Sequence, residues 1–354
     1  MNLSNLFDLG RNLYALPAYN DKSGLAPMPL RYFFELTYRC NLNCPYCYVG
    51  DDRKKDELTT DEWFKIIDQI PWYSFVTLVG GEPLIRKDFI DILMQTAKKT
   101  YGKLNVVSNG ILINDEIIDA FIKSKMMLLS VSLDGFGQNH DLNRGKDGIW
   151  DKIMNNFDNM NSRQKRPMID IKTIVLKNNL DDLVKLYKMC DEKKFNFLSI
   201  SFLRNNLKQN SVLFDSFVPE FNANYPIEKY FDMEHFKEVY KELDSLSKHS
   251  NVKIRFSPKF EYSQNPLAKI EEFFNIPADK PVAEIYKPCM YPYSNMMINP
   301  QGDVYPCLSQ KIGNVRDMSI KEVFNLPHYR CFRKNLHAAK VFGACQMCCE
   351  LCVK

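Results

Sequence analysis

Residues 37–50 read TYRCNLNCPYCYVG and place three cysteines, Cys40, Cys44 and Cys47, within one short loop. Such crowded thiols, interrupted by asparagine and proline, do not fit one face of a helix or strand, although isolated free cysteines often act as small core residues. A structural zinc site requires four protein ligands, and no fourth cysteine lies nearby. Three thiolates instead suit a cuboidal iron–sulfur cluster in which one iron remains open to another ligand.

The composition is that of a globular protein rather than of a disordered or fibrous chain. Of 354 residues, 45% are hydrophobic and 25% are charged, and the formal net charge is only +4. So small a charge gives no support for a nucleic-acid partner. Asp8 interrupts the apolar N-terminus, which is a poor secretory signal, and no window is long enough for a membrane span. We therefore expect a cytoplasmic protein whose eleven cysteines serve metal or redox chemistry.

Apolar strands alternate with amphipathic helices from about residue 30 to about residue 205. The run RYFFELTY (31–38) reads as a strand that leads into the cysteine loop, and FVTLVG (75–80) reads as the next strand. Between them, Thr59 and Glu62 predict a capping box at the start of a helix. About six such repeats predict an α/β fold with a parallel sheet, which right-handed crossovers curl into a partial barrel.

Polar motifs follow the predicted strands where each strand ends. They are GGEP (80–83), SNG (108–110) and SLDG (132–135). Each alone is also an ordinary turn or cap. In a parallel barrel, however, these ends meet at the edge that binds ligands. The glycines allow a backbone to approach a ligand closely, and Glu82 offers an anion to an ammonium group.

The cysteine loop after the first strand, with an aromatic residue before its last cysteine and GGEP behind the next strand, resembles the radical S-adenosylmethionine (SAM) superfamily. The resemblance implies a partial (β/α)6 barrel and a [4Fe–4S] cluster held by Cys40, Cys44 and Cys47 together with SAM. It also implies that a flavodoxin or ferredoxin supplies an electron to the cluster. The reduced cluster then cleaves SAM to a 5′-deoxyadenosyl radical. This radical abstracts a hydrogen atom from the substrate.

The same resemblance supplies candidate SAM-binding residues. They are Tyr46, Gly80, Gly81, Glu82, Ser108, Asn109, Ser132, Asp134 and Arg144. The GGEP turn would contact the amino group of SAM, and Arg144 in HDLNRG would pair with its carboxylate. Ser132 and Asp134 would contact the ribose or the carboxylate. No residue is assigned as a general base.

The C-terminal part has a different composition, since seven of the eleven cysteines lie beyond residue 286. A turn at NPQGD, with Gly302 five residues before Cys307, and a final CQMCCELC resemble the SPASM/twitch domains that bind auxiliary clusters. The resemblance favours one auxiliary [4Fe–4S] cluster, with a zinc ribbon on the same thiolates as the alternative. The proposed ligands are Cys289, Cys307, Cys345 and Cys348, and Cys349 and Cys352 are alternatives to the last pair. Cys190 and Cys331 fall in predicted helices and are not expected to be ligands.

These patterns divide the chain into four predicted parts. They are an N-terminal extension (1–29), a radical SAM core (30–205), a connecting or substrate-side region (206–285) and an auxiliary cluster domain (286–354).

The resemblance implies the initiating chemistry more firmly than the product. The expected reaction is modification of a ribosomally synthesised peptide by cross-linking, oxidation or epimerisation. Oxidation of a small molecule such as an aminocyclitol or sugar is an alternative, and a non-catalytic metal-binding scaffold is an alternative of another class. Leu308 occupies the position at which sulfatase-maturing relatives carry aspartate, and the chain lacks the Gly-Gly tail of molybdenum-cofactor enzymes. Neither of those roles is expected.

Overall fold

The computed structural model describes residues 3–47, 49, 56–203, 229–260, 263–277, 279–307, 311–345, 348 and 350–354, and of residues 3–8 and 344 only the backbone. The strands of this part of the chain are β1 (Arg31–Glu35), β2 (Phe75–Val79), β3 (Leu104–Ser108), β4 (Leu128–Ser132), β5 (Met168–Val175), β6 (Phe197–Phe202), β7 (Lys253–Ser257), β8 (Asn295–Ile298), β9 (Asp303–Tyr305) and β10 (Gly313–Asn314). They form a single ten-stranded sheet in the order β10-β9-β8-β1-β2-β3-β4-β5-β6-β7.

The α-helices of the described residues are α1 (Leu3–Asn20), α2 (Thr60–Gln69), α3 (Phe89–Thr100), α4 (Asp115–Ser124), α5 (Gln138–Arg144), α6 (Ile149–Asn161), α7 (Leu180–Glu192), α8 (Met233–Ser247), α9 (Pro266–Phe274), α10 (Val282–Ile285), α11 (Ile320–Phe324) and α12 (Pro327–Ala339). Short 3-10 turns lie at Pro83–Ile85, Tyr291–Tyr293 and Gly343–Cys345. Within the described ranges, no helix combines the length and apolar character needed to cross a membrane.

Strands β1 to β6 lie side by side in chain order and are all parallel. Right-handed crossovers between such neighbours bring the connecting helices to one face of the sheet. On that face Leu78, Val106 and Leu129 are fully buried in the hydrophobic core. The predicted α/β class with a parallel, barrel-like sheet is therefore confirmed.

The sheet continues beyond the predicted core on both sides. Strand β7 pairs in parallel with β6, so Arg255 lies opposite Ser199. Strand β8 pairs in parallel with β1, so Met297 lies opposite Phe33, and β9 then forms a hairpin with β8. The boundaries at residues 205 and 286 therefore do not coincide with edges of the sheet, and the four-part division stays a prediction.

The sequence patterns assigned no regular structure to two further segments. The N-terminal extension contains α1, which the patterns did not assign. Among its described side chains, Leu9, Leu13 and Leu16 are exposed, so they do not form the buried apolar stripe from which a helix is usually recognised. The stretch 205–232, in which the pattern loosened, lies largely outside the described residues.

Helix α2 begins where the capping box predicts. The Thr59 side chain accepts a hydrogen bond from the Glu62 backbone, and Glu62 accepts one from the Thr59 backbone at 2.7 Å. One face of the helix then buries Trp63, Ile66 and Ile67. Two backbone donors that a helix start leaves unpaired are thus satisfied by side chains.

We predict that Thr59→Ala lowers the free energy of unfolding by about 1 kcal/mol, because it removes the acceptor at the start of α2. Urea denaturation followed by circular dichroism measures the change. Thr59→Ser is the matched control, since its hydroxyl also caps the helix. An equal loss in the serine variant would show that the cap is not the cause.

Candidate functional site

The three cysteines lie in the loop that follows β1, at the carboxyl edge of the sheet. The Cys47 backbone donates to the Cys44 carbonyl at 3.1 Å, and the Leu42 backbone donates to Cys40 Sγ at 3.4 Å. All three thiols are half-buried and free of disulfides. Burial raises the pKa of the Cys40 thiol, and the nearby Cys44 and Cys47 sulfurs add to that effect. The loop therefore presents three neighbouring thiols at one site.

A zinc ion and an iron–sulfur cluster place different demands on these thiols. Among the described residues, no three Cys, His, Asp or Glu side chains converge as the ligands of one metal ion. Four thiolates around one Zn²⁺ would lie about 3.8 Å apart, as Zn–S bonds of about 2.3 Å require. A cuboidal cluster binds each cysteine at a separate corner, so its ligands lie farther apart. A loop with three thiols fits an iron–sulfur cluster with one open iron better than a structural zinc ion, which takes four protein ligands.

The GGEP turn packs directly against the segment that precedes Cys40. Gly81 N donates to Thr37 O at 2.7 Å, and Glu82 N donates to Arg39 O at 2.9 Å. A Cβ atom on Gly80 would lie 2.3 Å from Thr37 O, and one on Gly81 would lie 2.4 Å from Arg39 O. The glycines are therefore required by a backbone contact within the protein, and their approach to a ligand stays a prediction.

Glu82 connects the ends of β2 and β3. The residue is fully buried. Its Oε1 atom accepts from Ser108 Oγ at 2.9 Å and from Leu84 N at 3.2 Å, and its Oε2 atom accepts from Asn109 N at 2.7 Å. Burial raises the pKa of Glu82 to about 7, although these hydrogen bonds oppose the shift. Oε2 has a single donor and retains room for another.

Asn109 links this group to the cysteine loop. Its Nδ2 atom lies 2.7 Å from Asn41 Oδ1 and 3.9 Å from Cys40 Sγ. Its Oδ1 atom accepts from Ile111 N at 3.0 Å, which fixes the orientation of the amide. Asn41 was not among the predicted site residues, and its position inside the cysteine motif was the available signal.

Asp134 is the centre of a second polar group, beyond the end of β4. Its carboxylate is 0% exposed, and Oδ2 accepts from Tyr46 Oη at 2.7 Å and pairs with Arg144 Nη2 at 2.5 Å. Oδ1 accepts from Ile174 N at 2.8 Å. Asp134 therefore joins the aromatic residue of the cysteine loop, the arginine of HDLNRG and strand β5.

Arg144 extends this group to the cysteines. Its Nη1 atom lies 3.7 Å from Cys44 Sγ, and its side chain is 13% exposed. Burial raises the pKa of the Cys44 thiol, and the Arg144 guanidinium opposes that shift. A nearly buried cation thus faces a thiol of the cysteine loop.

Three residues that sequence reasoning did not select hold the Asp134 backbone. The Asp134 amide donates to His140 Nδ1 at 3.1 Å, and the Asp134 carbonyl accepts from Asn143 at 2.5 Å and Asn179 at 3.1 Å. His140 and Asn143 belong to HDLNRG, but their side chains gave no sign of this role. Ser132, the remaining candidate, is half-buried at the end of β4, two residues before Asp134.

The C-terminal cysteines lie around the hairpin and the chain end. Cys289, Cys307, Cys345 and Cys348 are half-buried and pack against the core. Burial raises the pKa of Cys289 to about 12, and the nearby Cys307 sulfur adds to the shift. Cys348 N donates to Cys345 O at 3.0 Å. Cys289 therefore lies near Cys307, and Cys345 lies near Cys348. That these four thiols form one ligand set stays a prediction.

The other cysteines occupy different environments. Cys190 is buried in α7 and Cys331 is exposed on α12, as expected for non-ligands. The carbonyl of Cys352 accepts from Lys287 N at 3.0 Å, so the chain end is held along the residues before the hairpin. Cys349 lies outside the described residues.

Glu350 ties the C-terminal cysteine region to the start of the chain. It pairs with Arg11 of α1 at 3.4 Å and with Arg31 of β1 at 3.8 Å. Burial alone would raise the pKa of Glu350, but Arg31, Lys259 and Arg11 together lower it to about 2. The sequence gave no indication of these contacts, since hundreds of residues separate the partners.

We predict that Asp134→Ala lowers the free energy of unfolding of the reduced, cluster-free protein by about 3 kcal/mol, because it leaves the Arg144 cation nearly buried without its carboxylate. Guanidinium denaturation measures the loss. The control is Glu242→Ala, whose carboxylate is 52% exposed and pairs with Lys188 at 2.9 Å. We expect that variant to lose less than about 1 kcal/mol. Equal losses in the two variants would contradict the role of Asp134.

Comparison with known proteins identifies two family matches. Residues 34–190 match the radical SAM superfamily, and residues 289–349 match SPASM, an iron-sulfur cluster-binding domain. The sporulation killing factor maturation protein SkfB of Bacillus subtilis is 27% identical over 166 residues, which are 46% of this chain and only 40% of SkfB. The AdoMet-dependent heme synthase of Methanosarcina barkeri is 27% identical over 324 residues, which are 89% of this chain and 87% of that protein.

Solved structures show the same fold. Streptococcus suis SuiB bound to S-adenosylmethionine superposes with a TM-score of 0.66 at 18% identity, covering 89% of this chain and 70% of SuiB. Native anSMEcpe with bound AdoMet superposes with a TM-score of 0.60 at 20% identity, covering 86% of this chain and 82% of the other. At such identities the likeness concerns the fold alone.

Proposed function

We propose that this chain is an enzyme that cleaves SAM reductively and removes a hydrogen atom from a peptide substrate. It carries a radical SAM domain at residues 34–190 and a SPASM iron–sulfur cluster-binding domain at residues 289–349, with SAM and [4Fe–4S] clusters as cofactors. The observation that carries this proposal is the hydrogen-bonded group at the carboxyl edge of the sheet. It joins the three-cysteine loop to Glu82 through Asn109, and to Asp134 through Tyr46.

The cysteine loop would hold the cluster through Cys40, Cys44 and Cys47. When bound, this cofactor supplies one electron to SAM. The protein contributes the site around it. Half-burial of the thiols limits the access of water, and Asn109 and Arg144 each place N–H groups within 4 Å of a cysteine sulfur, at 3.9 Å and 3.7 Å. Such contacts favour sulfur that carries negative charge.

The SAM contacts would come from the two buried carboxylate groups. Glu82, with a free acceptor position on Oε2, would receive the amino group of SAM. Asp134 and Tyr46 would orient the ribose side, and Asp134 would keep the Arg144 guanidinium aimed towards the cofactor carboxylate. Each role rests on the resemblance and on a side chain that is already fixed by neighbouring hydrogen bonds.

The auxiliary cluster would be held by Cys289, Cys307, Cys345 and Cys348, within the residues matched by the SPASM domain. The Glu350 ion pairs with Arg11 and Arg31 would keep this site next to β1. An auxiliary cluster beside the barrel can accept an electron from the substrate, which suits a net oxidation or a cross-link.

A peptide substrate is supported by two relatives. SuiB has been solved bound to its precursor peptide SuiA, and SkfB is a maturation protein for the sporulation killing factor. A flavodoxin or ferredoxin would supply the electron. The second candidate is a reaction on a small molecule, which the AdoMet-dependent heme synthase favours because its match spans most of both chains. Mass spectrometry of precursor peptides encoded by neighbouring genes, after incubation with the protein, SAM and reductant, would distinguish a peptide substrate from a small molecule.

We predict that the reconstituted protein binds about eight irons, as two cubane clusters require, and converts SAM to 5′-deoxyadenosine with dithionite. Replacing Cys40, Cys44 and Cys47 together by alanine should abolish this activity and leave about four irons. Cys331→Ala, which changes an exposed cysteine on α12, is the control and should retain both. SAM cleavage by the triple variant at the wild-type rate would refute the site.

The auxiliary ligand set gives a separate prediction. Cys289→Ala should lower the iron content from about eight to about four, whereas Cys352→Ala should leave it near eight. Iron and acid-labile sulfide analysis, with electronic absorption spectra, measures both variants. Loss of iron in the Cys352 variant would mean that the chain uses the later cysteine pair.

A further inference from the structure

The face of the sheet that carries no helices contains a group of polar side chains. Thr77 lies opposite Asn105 in the register, and the Ser130 hydroxyl oxygen lies 3.2 Å from Asn105 Oδ1. Asp170 and Ser199 continue this face on β5 and β6, joined by a hydrogen bond of 2.7 Å. Parallel barrels usually fill this side with branched apolar side chains. These buried polar residues distinguish this face from the apolar interior of a typical parallel barrel.

One row across this face contains two cations. The register places Ser132, Lys172, Ser199 and Arg255 side by side on β4, β5, β6 and β7. Paired residues on neighbouring strands project to the same face. The Lys172 side chain is 42% exposed, and the Arg255 side chain is 22% exposed. Both side chains therefore remain partly exposed.

Asp170 holds the two cations in place. The residue is 1% exposed, and its Oδ2 atom lies 3.5 Å from Lys172 Nζ and 3.8 Å from Arg255 Nη1. Hydroxyls of Ser130 and Ser199 donate to the same carboxylate. The Arg255 guanidinium also lies 3.3 Å from the centre of the Phe197 ring. One buried carboxylate therefore orients two cations.

The row lies next to the proposed cofactor site. Lys172 lies opposite Ser132 in the strand register. Ile174, two residues after Lys172, donates its backbone N–H to the Asp134 carboxylate. Across the sheet, on β1 and β8, Phe33 lies opposite Met297, and the Tyr291 ring is 6.4 Å from that of Phe33. The same face thus combines a cationic side with an apolar side.

We infer that Lys172 and Arg255 form a subsite for a carboxylate of the substrate, with Asp170 as a positioning residue. The inference rests on the proposed function, because the substrate must reach the cofactor from this face. Charge-assisted hydrogen bonds from lysine and arginine are the usual means of recognising a carboxylate. The carboxylate belongs either to an acidic peptide side chain or to a small organic acid.

The experiment measures binding of defined probes to the reconstituted protein by saturation-transfer NMR, with and without SAM. One arm compares a capped tripeptide with a central glutamate and the same peptide with glutamine. The other arm compares glutarate and glutaramide. The variants are Lys172→Gln and, as control, Lys188→Gln, which removes a cation from the exposed face of α7. Tighter binding in one arm identifies the source of the carboxylate.

We expect the charged probe of at least one arm to bind better than its neutral counterpart. Lys172→Gln should weaken that binding roughly tenfold, as loss of one charge-assisted hydrogen bond predicts. Lys188→Gln should bind as wild type does. Equal binding of charged and neutral probes, or wild-type binding by Lys172→Gln, would overturn the subsite. So would a loss of SAM affinity in that variant, which would assign Lys172 to the cofactor.

Failure of the proposed function gives a different result. If the wild-type protein does not cleave SAM with dithionite, the enzyme assignment fails whatever the probes show. If it cleaves SAM but no carboxylate probe binds, the subsite alone is wrong. The probe measurements without SAM keep the two conclusions separate.

Discussion

The backbone contact between Gly80–Glu82 and Thr37–Arg39 is the constraint on which the site depends. Two hydrogen bonds fix the turn after β2 against the segment that leads to Cys40, and side chains at the two glycines would collide with that backbone. The cysteine loop is therefore attached to the end of β2 before any cofactor binds. Through this attachment Glu82 reaches Ser108 and Asn109, and Asn109 reaches the cysteine loop again.

Burial of charge is the second organising principle. Asp134 and Arg144 form a nearly solvent-free pair, and such a pair is maintained only where further hydrogen bonds satisfy the remaining atoms. Tyr46 and Ile174 supply these bonds to the carboxylate, and Arg144 directs another N–H group to Cys44. On the polar face, Asp170 plays the same part for two cations. Both carboxylates act by orienting a cation rather than by facing solvent.

The sequence predicted those features whose signals are local. The capping box at Thr59, the strands and the cysteine loop each occupy a few consecutive residues, so pattern and spacing reveal them. The pairing of β8 with β1 and the ion pairs of Glu350 join distant parts of the chain, and no local pattern encodes them. Lys172 and Arg255 likewise carry no local signal, and only the strand register shows that they lie in one row.

The central claim is that three cysteines hold a cluster whose remaining iron binds SAM directly. Electron–nuclear double resonance of the reduced protein tests it, with SAM carrying ¹⁵N or ¹³C in its methionine part. The account predicts a hyperfine coupling between the label and the cluster spin, because the labelled atoms are bound to iron or adjacent to it. A reduced cluster whose spectrum shows no coupling to either label, with SAM demonstrably bound, would contradict the account.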